Sequence, residues 1–206
     1  MTDWTAVCLA TDLPPGVVIA AACEGAEIAV WRSISGQLCA WRDRCPHRGM
    51  RLSHGFVRGE TLSCIYHGWT YGADGGCKRI PAHPALVPPA VIRADSFACV
   101  QADAIVWVAP KGTQTAPPAL SCLLPVRSLV VETTAESLKE ALPDFTPDPA
   151  QLWRGRFEGG LINLLIQPMA GGRVRVTVLL PDMTQAIAAS RWIEAVRMQA
   201  ELGVAG

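Results

Sequence analysis

Cys45-Pro46-His47-Arg48-Gly49 and Cys64-Ile65-Tyr66-His67-Gly68-Trp69 bound the stretch CPHRGMRLSHGFVRGETLSCIYHGW, with sixteen residues between His47 and Cys64. Each end of the stretch offers one thiolate and one imidazole. Two cysteines with two histidines are an ordinary ligand set for a structural zinc ion. They are also the set of a dinuclear iron–sulfur centre in which two His replace two Cys on one iron. Spacing separates the two readings. Zinc modules pair like with like, Cys-x₂₋₄-Cys followed by His-x₃₋₅-His, whereas here each loop mixes the two and so serves both metals of a dinuclear site. Gly49 and Gly68 closely follow the ligand histidines. A missing Cβ there lets backbone N–H groups approach bridging sulfides.

The C-P-H-R-G and C-x-Y-H-G-W words resemble the Rieske motif of ring-hydroxylating and demethylating oxygenases, and the resemblance covers about residues 3–110. It implies one [2Fe–2S] cluster, with Cys45 and Cys64 on one iron and His47 and His67 on the other. Arg48, Gly49, Tyr66, Gly68 and Trp69 surround those ligands, and Trp69 shields the centre from water. Neutral imidazoles in place of thiolates raise the potential into a range of roughly −150 to +300 mV. The high-potential relatives of bc complexes carry a Ser after the last His-Gly and an extra Cys in each loop. This chain has Trp69 in the first place, and Met50 or its neighbours and Tyr66 in the others. The low end of the range and no loop disulfide are therefore expected. Reduction beside His47 and His67 raises their pKa values, so the potential is expected to fall with rising pH.

Half of the 206 residues are apolar and 17% are charged, the composition of a packed globular protein. Lysine plus arginine equal aspartate plus glutamate at 18 each, with no dense basic stripe, which speaks against nucleic-acid binding. The N-terminus MTDWTAVCLATDLPPG lacks a cationic segment followed by an apolar run, and no apolar stretch approaches about 18 residues. A cytoplasmic protein with no membrane partner is the expectation. The remaining cysteines, Cys8, Cys23, Cys39, Cys77, Cys99 and Cys122, are scattered in mostly apolar surroundings and read as small buried hydrophobes in a reducing compartment.

The expected fold is mostly β, an antiparallel barrel or sandwich with an inserted cluster-binding part, followed by a small α+β domain. Strands are expected over 4–10, 17–23, 27–32 and 38–41, the last two as a hairpin across Ser35-Gly36. The cluster-binding part, about 43–82, follows with short strands at 56–58, 61–63, 69–71 and 77–80. Strands at 97–101 and 104–109 close a Rieske domain of residues 1–110. Residues 111–122, with Lys111 to Pro118 polar and Pro-containing, form the linker. In 123–206, strands are expected at 126–132, 152–158, 161–167 and 174–180, with a short helix opening at Thr134 and a long helix over 185–202. That helix carries Trp192, Ile193, Val196 and Ala200 on one face. This order resembles a shortened helix-grip domain.

Oxygenases of the resembled family hold a second, mononuclear iron with two His and a carboxylate. The four histidines here are His47, His54, His67 and His83, and none follows residue 83. His54 and His83 read as loop residues, and Asp144, Asp148 and Glu158 as loop charges. No nucleotide or flavin fingerprint and no nucleophile elbow is present, so no catalytic residue, mononuclear iron, flavin or NAD is expected. The expectation is an electron-transfer component that takes single electrons from a reductase or ferredoxin and passes them to a separate iron oxygenase, within a mixed oligomer. Arg48, Arg51 and Arg58 are candidates for docking an acidic partner. The alternatives are a non-catalytic structural or redox-sensing subunit, an oxygenase in its own right, and a zinc module.

Overall fold

The computed structural model describes residues 3–120, 122–147, 152–169 and 171–202. These residues pack as two compact units. One holds 10–101 and 106–114; the other holds 3–9, 102–105 and the described residues from 115 onward. The linker segment 111–114 thus goes with the first unit and the N-terminal strand with the second.

In the first unit the strands are β2 (Val18–Cys23), β3 (Ala26–Arg32), β4 (Leu38–Arg42), β5 (Phe56–Arg58), β6 (Thr61–Ser63), β7 (Thr70–Gly72), β8 (Cys77–Arg79), β9 (Ser96–Ala102) and β10 (Ile105–Ala109). Its main sheet runs β10-β9-β4-β3-β2, and β5-β6-β7-β8 form a separate four-stranded meander. The meander lies between β4 and β9 in the chain, as the sequence order led one to expect. Ile28, Ala29, Val30 and Trp31 of β3 are all fully buried. A strand covered on both faces reads as a continuous apolar run instead of an alternation.

Aromatic rings and two turns fasten the meander to the main sheet. Trp31 meets Trp41 edge-on at 5.1 Å, and Trp41 meets Tyr71 of β7 at 6.3 Å. Leu52, Leu62, Cys45, Cys64 and Cys77 pack into the same core. At the turns, the Ile34 N–H donates to the Gly59 carbonyl at 3.0 Å. The Glu60 carboxylate accepts from the backbone N–H and hydroxyl of Ser35 at 3.0 and 2.6 Å. These bonds hold Glu60 ionised, with its carboxyl below the ordinary range.

In the second unit, β1 (Thr5–Leu9) lies against β11 (Leu124–Val131) and β14 (Gly160–Met169). The sheet runs β11-β15-β14-β13-β12, with β12 at Thr146–Pro147, β13 at Leu152–Phe157 and β15 at Arg173–Leu180. Register places Leu164 opposite Val178 and Ile166 opposite Val176. Those residues, with Ile162 and Val174, bury one sheet face against α1 (Ala135–Ala141) and α2 (Ala186–Leu202). The α2 residues they meet are Ala189, Ile193, Val196 and Ala200, at helical spacing on one face. Thr134 caps α1, its hydroxyl accepting from the Ser137 N–H at 3.2 Å. Arg127 of β11 donates to Glu194 of α2 at 2.7 Å and fixes the helix across the sheet. The two-residue β12 is the one strand the sequence pattern did not announce, being too short to show alternation.

Candidate metal centre

Two loops of one design carry the expected ligands. The first leaves the end of β4, and the second joins β6 to β7. In the first, the Cys45 N–H donates to the Met50 carbonyl at 2.7 Å and the Gly49 N–H to the Cys45 carbonyl at 2.8 Å. In the second, the Cys64 N–H donates to the Trp69 carbonyl at 2.9 Å and the Gly68 N–H to the Cys64 carbonyl at 3.0 Å. Each loop is thus closed by the same pair of bonds counted from its cysteine. Closure needs a left-handed residue at the fifth position, and Gly49 (φ 74°) and Gly68 (φ 69°) supply it. The glycine N–H groups are spent on loop closure, and the positive φ is a further reason for glycine at both positions.

Closure sends the side chains inward and to the edge. Cys45 and Cys64 are buried, 4% and 2% exposed. Burial first, and then the neighbouring Cys45, push the Cys64 thiol up from its ordinary pKa. Such a thiol needs a cation nearby to exist as thiolate. The His47 and His67 rings lie 4.8 Å apart, centroid to centroid. His47 is half-buried and stacks on Trp69, 4.1 Å between centroids and 5° from parallel. His67 is exposed, with the Tyr66 ring tilted over it at 3.9 Å. Desolvation, then His67, then Arg48 hold the His47 pKa below its ordinary value. A neutral ring with a free nitrogen is the form that ligates metal. Thiol therefore neighbours thiol, and imidazole neighbours imidazole. Among the described residues no three His, Cys, Asp or Glu groups converge to hold a single ion. The arrangement suits a two-metal cluster with a sulfur end and a nitrogen end, and the donor set fits that group.

Around the loops, Asp43 is buried and accepts from the Ser53 N–H at 2.7 Å and the Ser53 hydroxyl at 2.6 Å. Arg51 pairs with Glu27 and lies 3.9 Å from Asp43, so its charge is already compensated. Arg58 sits over the Phe56 ring at 4.7 Å. Of the three arginines considered for docking, Arg48 alone lies beside the ligands without such a commitment. His54 ends a short 3₁₀ helix, Leu52–His54, and His83 lies in a bend, both exposed; Asp144 and Glu158 are exposed, and Asp148 lies outside the described residues. All eight cysteines are free thiols.

Sequence reasoning missed Tyr71. Its buried hydroxyl lies 3.2 Å from the Cys45 sulfur, and its pKa is raised by burial and then by Cys45. Alternation sets Tyr71 on the opposite face of β7 from Thr70 and Gly72, but only the fold turns that face toward the loops.

Residues 3–100 match the family model of the Rieske [2Fe-2S] domain. This part of the chain is a Rieske domain. It is 41% identical over 108 residues to the oxidoreductase NdmD of Pseudomonas putida, 52% of this chain and 18% of that protein. It is 35% identical over 109 residues to the methylxanthine N1-demethylase NdmA of the same organism, 51% of this chain and 31% of that protein. The matched stretch therefore spans less than a third of either relative. A solved structure of the QL mutant of Pseudomonas putida CBB5 NdmA with theobromine superposes with a TM-score of 0.73 at 19% identity, covering 98% of this chain and 80% of that one. Apo dicamba monooxygenase does so with a TM-score of 0.68 at 18% identity, covering 97% and 85%. The mostly β fold, second unit included, is thus that of Rieske oxygenases. Among the described residues no helix is long and apolar enough to cross a membrane.

Proposed function

We propose that this chain is an electron-relay component of an oxygenase system. In this reading Cys45 and Cys64 hold one iron of a [2Fe–2S] cluster and His47 and His67 hold the other. When bound, the cluster supplies reversible one-electron chemistry at the histidine-held iron. The residues of the chain do the rest. The buried cysteines keep water from the sulfur end, Trp69 covers one face of His47, and His67 stands in solvent where a partner can approach. The observation that carries the reading is the pairing of two buried thiols and two adjacent imidazoles on loops closed alike. A reductase or ferredoxin would be the donor and a separate non-haem iron oxygenase the acceptor. The second unit contains no histidine, so its residues do not themselves supply an oxygen-activating site of two histidines and a carboxylate.

The test is anaerobic purification with iron and acid-labile sulfide analysis, low-temperature EPR of the reduced protein, and stopped-flow reduction by a flavin reductase. Equal iron and sulfide, a Rieske-type signal lost in Cys64→Ser and His67→Ala, and reduction within a turnover time are expected. A colourless protein holding stoichiometric zinc would overturn the cluster. A cluster that no reductase reduces would overturn the relay and leave a structural or sensing role.

A further inference from the structure

We propose that the cationic hollow beside His47 docks an acidic redox protein that delivers the electron; the inference rests on the relay reading above. Arg42, Arg44, Arg48 and Arg93 line a hollow of about 430 Å³ together with His47 and a single carboxylate, Asp95. Four arginines against one aspartate leave a local excess of positive charge in a chain whose formal net charge is zero. The guanidiniums are not equally committed. Arg42 lies 3.8 Å from Asp95, and Arg93 donates to the Asp74 carbonyl at 2.7 Å and lies 3.9 Å from its carboxylate. Arg44 and Arg48 make no ion pair among the described residues.

An adjoining hollow of about 360 Å³ shares Arg42 and Arg44 but adds Glu27, Asp43 and Arg51. There three arginines face two carboxylates, and Arg51 pairs with both Glu27 and Asp43, so the positive excess is smaller. Uncompensated charge is therefore focused on the side where His47 lies. Beside His67, the neighbouring Ile65 and Tyr66 are exposed and uncharged, at 57% and 56%. A buried small-anion site would converge desolvated donors, yet Arg42 and Arg93 are half exposed, at 51% and 52%. Exposed guanidiniums act at longer range. They steer an oppositely charged protein and raise its encounter rate by roughly 10–10³ at low salt. An electron must come within reach of an imidazole, and charge complementarity at His47 selects an acidic face for the donor.

The probe is a plant-type [2Fe–2S] ferredoxin, a small acidic one-electron donor. Its association with the holoprotein is measured by surface plasmon resonance, and its reduction of the cluster by stopped flow, from about 0.05 to about 0.5 M ionic strength. Both should weaken as salt rises. Arg44→Gln with Arg48→Gln should slow association about fivefold or more at low salt, Arg48→Lys should restore it, and Arg58→Gln should leave it unchanged. The midpoint potential of each variant separates a change in driving force from a change in docking. Salt-independent association, or an equal loss in Arg58→Gln, would overturn the docking surface while leaving the relay intact. Competition by inorganic phosphate beyond its ionic strength would also overturn it, in favour of a small-anion site. Salt-dependent binding with no reduction would uphold the surface and overturn the relay.

Discussion

The Tyr71 hydroxyl beside Cys45 changes what the loops imply about potential. Trp69 in the place of a hydroxyl donor and the absence of a loop disulfide argue for a low value. Tyr71 acts the other way, because an O–H donated to a thiolate favours the more electron-rich, reduced state. Tyr71→Phe should therefore lower the midpoint potential. A differential of about 1 kcal/mol for a hydrogen bond to a charged group corresponds to roughly 40 mV for one electron. Voltammetry of the two proteins measures it, and an unchanged potential would remove Tyr71 from the tuning of the site. The four ligands were legible because metal chemistry restricts both residue type and spacing. Tyr71 was not, since one tyrosine in a short strand looks like any core aromatic until the fold sets it against a sulfur. The ion partners of Arg51 were hidden for a related reason: Glu27 and Asp43 lie 24 and 8 positions away in sequence and meet it only through the fold.

Among elements, the ligand loops depend on a backbone form that side chains resist. Gly68 combines φ 69° with a Pro81 carbon only 3.1 Å from where a Cβ would stand. Gly59, at φ 57°, has open space around that position. Gly59→Ala should cost about 1 kcal/mol from backbone strain alone. Gly68→Ala should cost more, and should release iron faster because the displaced loop carries Cys64 and His67. Urea midpoints and the rate of iron loss to a chelator distinguish the two, and equal behaviour would show that Pro81 yields without cost. Continuous apolar runs made β3 and β4 readable, and helical periodicity made α2 readable, with an error of one residue at an end. β12 had too little length for either pattern. The strands of the meander were found through their turns, Gly59-Glu60 above all, because three residues hardly establish a period.

For the molecule as a whole, buried thiols set an alkaline limit. Burial, and then Glu60, push the Cys39 thiol up to about 12, and burial raises Cys77 as well. An unfolded chain releases the Cys39 proton near its ordinary value of 9.0, while the folded chain keeps it until about 12. The folded state thus binds more protons in that window, so stability is complete below about pH 9 and falls as pH rises toward 12. The urea midpoint should drop between about pH 9 and 11, and Cys39→Ala should flatten the drop. An unaltered slope in the variant would assign the loss to other groups. At this scale the sequence was least informative. The antiparallel class and the α+β character of the second unit follow from element order. That β1 packs with the second unit does not, because a strand's own residues name neither its neighbours nor its sheet.

Both loops close at the same places, yet the ligand imidazole stands third in the first and fourth in the second. With that single step, one ring is half-buried against an indole and the other stands in solvent beside Tyr66. The centre therefore has two unlike terminals, one insulated and one open. In the relay proposed above, an electron that enters beside His47 need not leave by the same path. A protein built this way can be approached by donor and acceptor on different sides, without one having to vacate a shared surface before the other arrives.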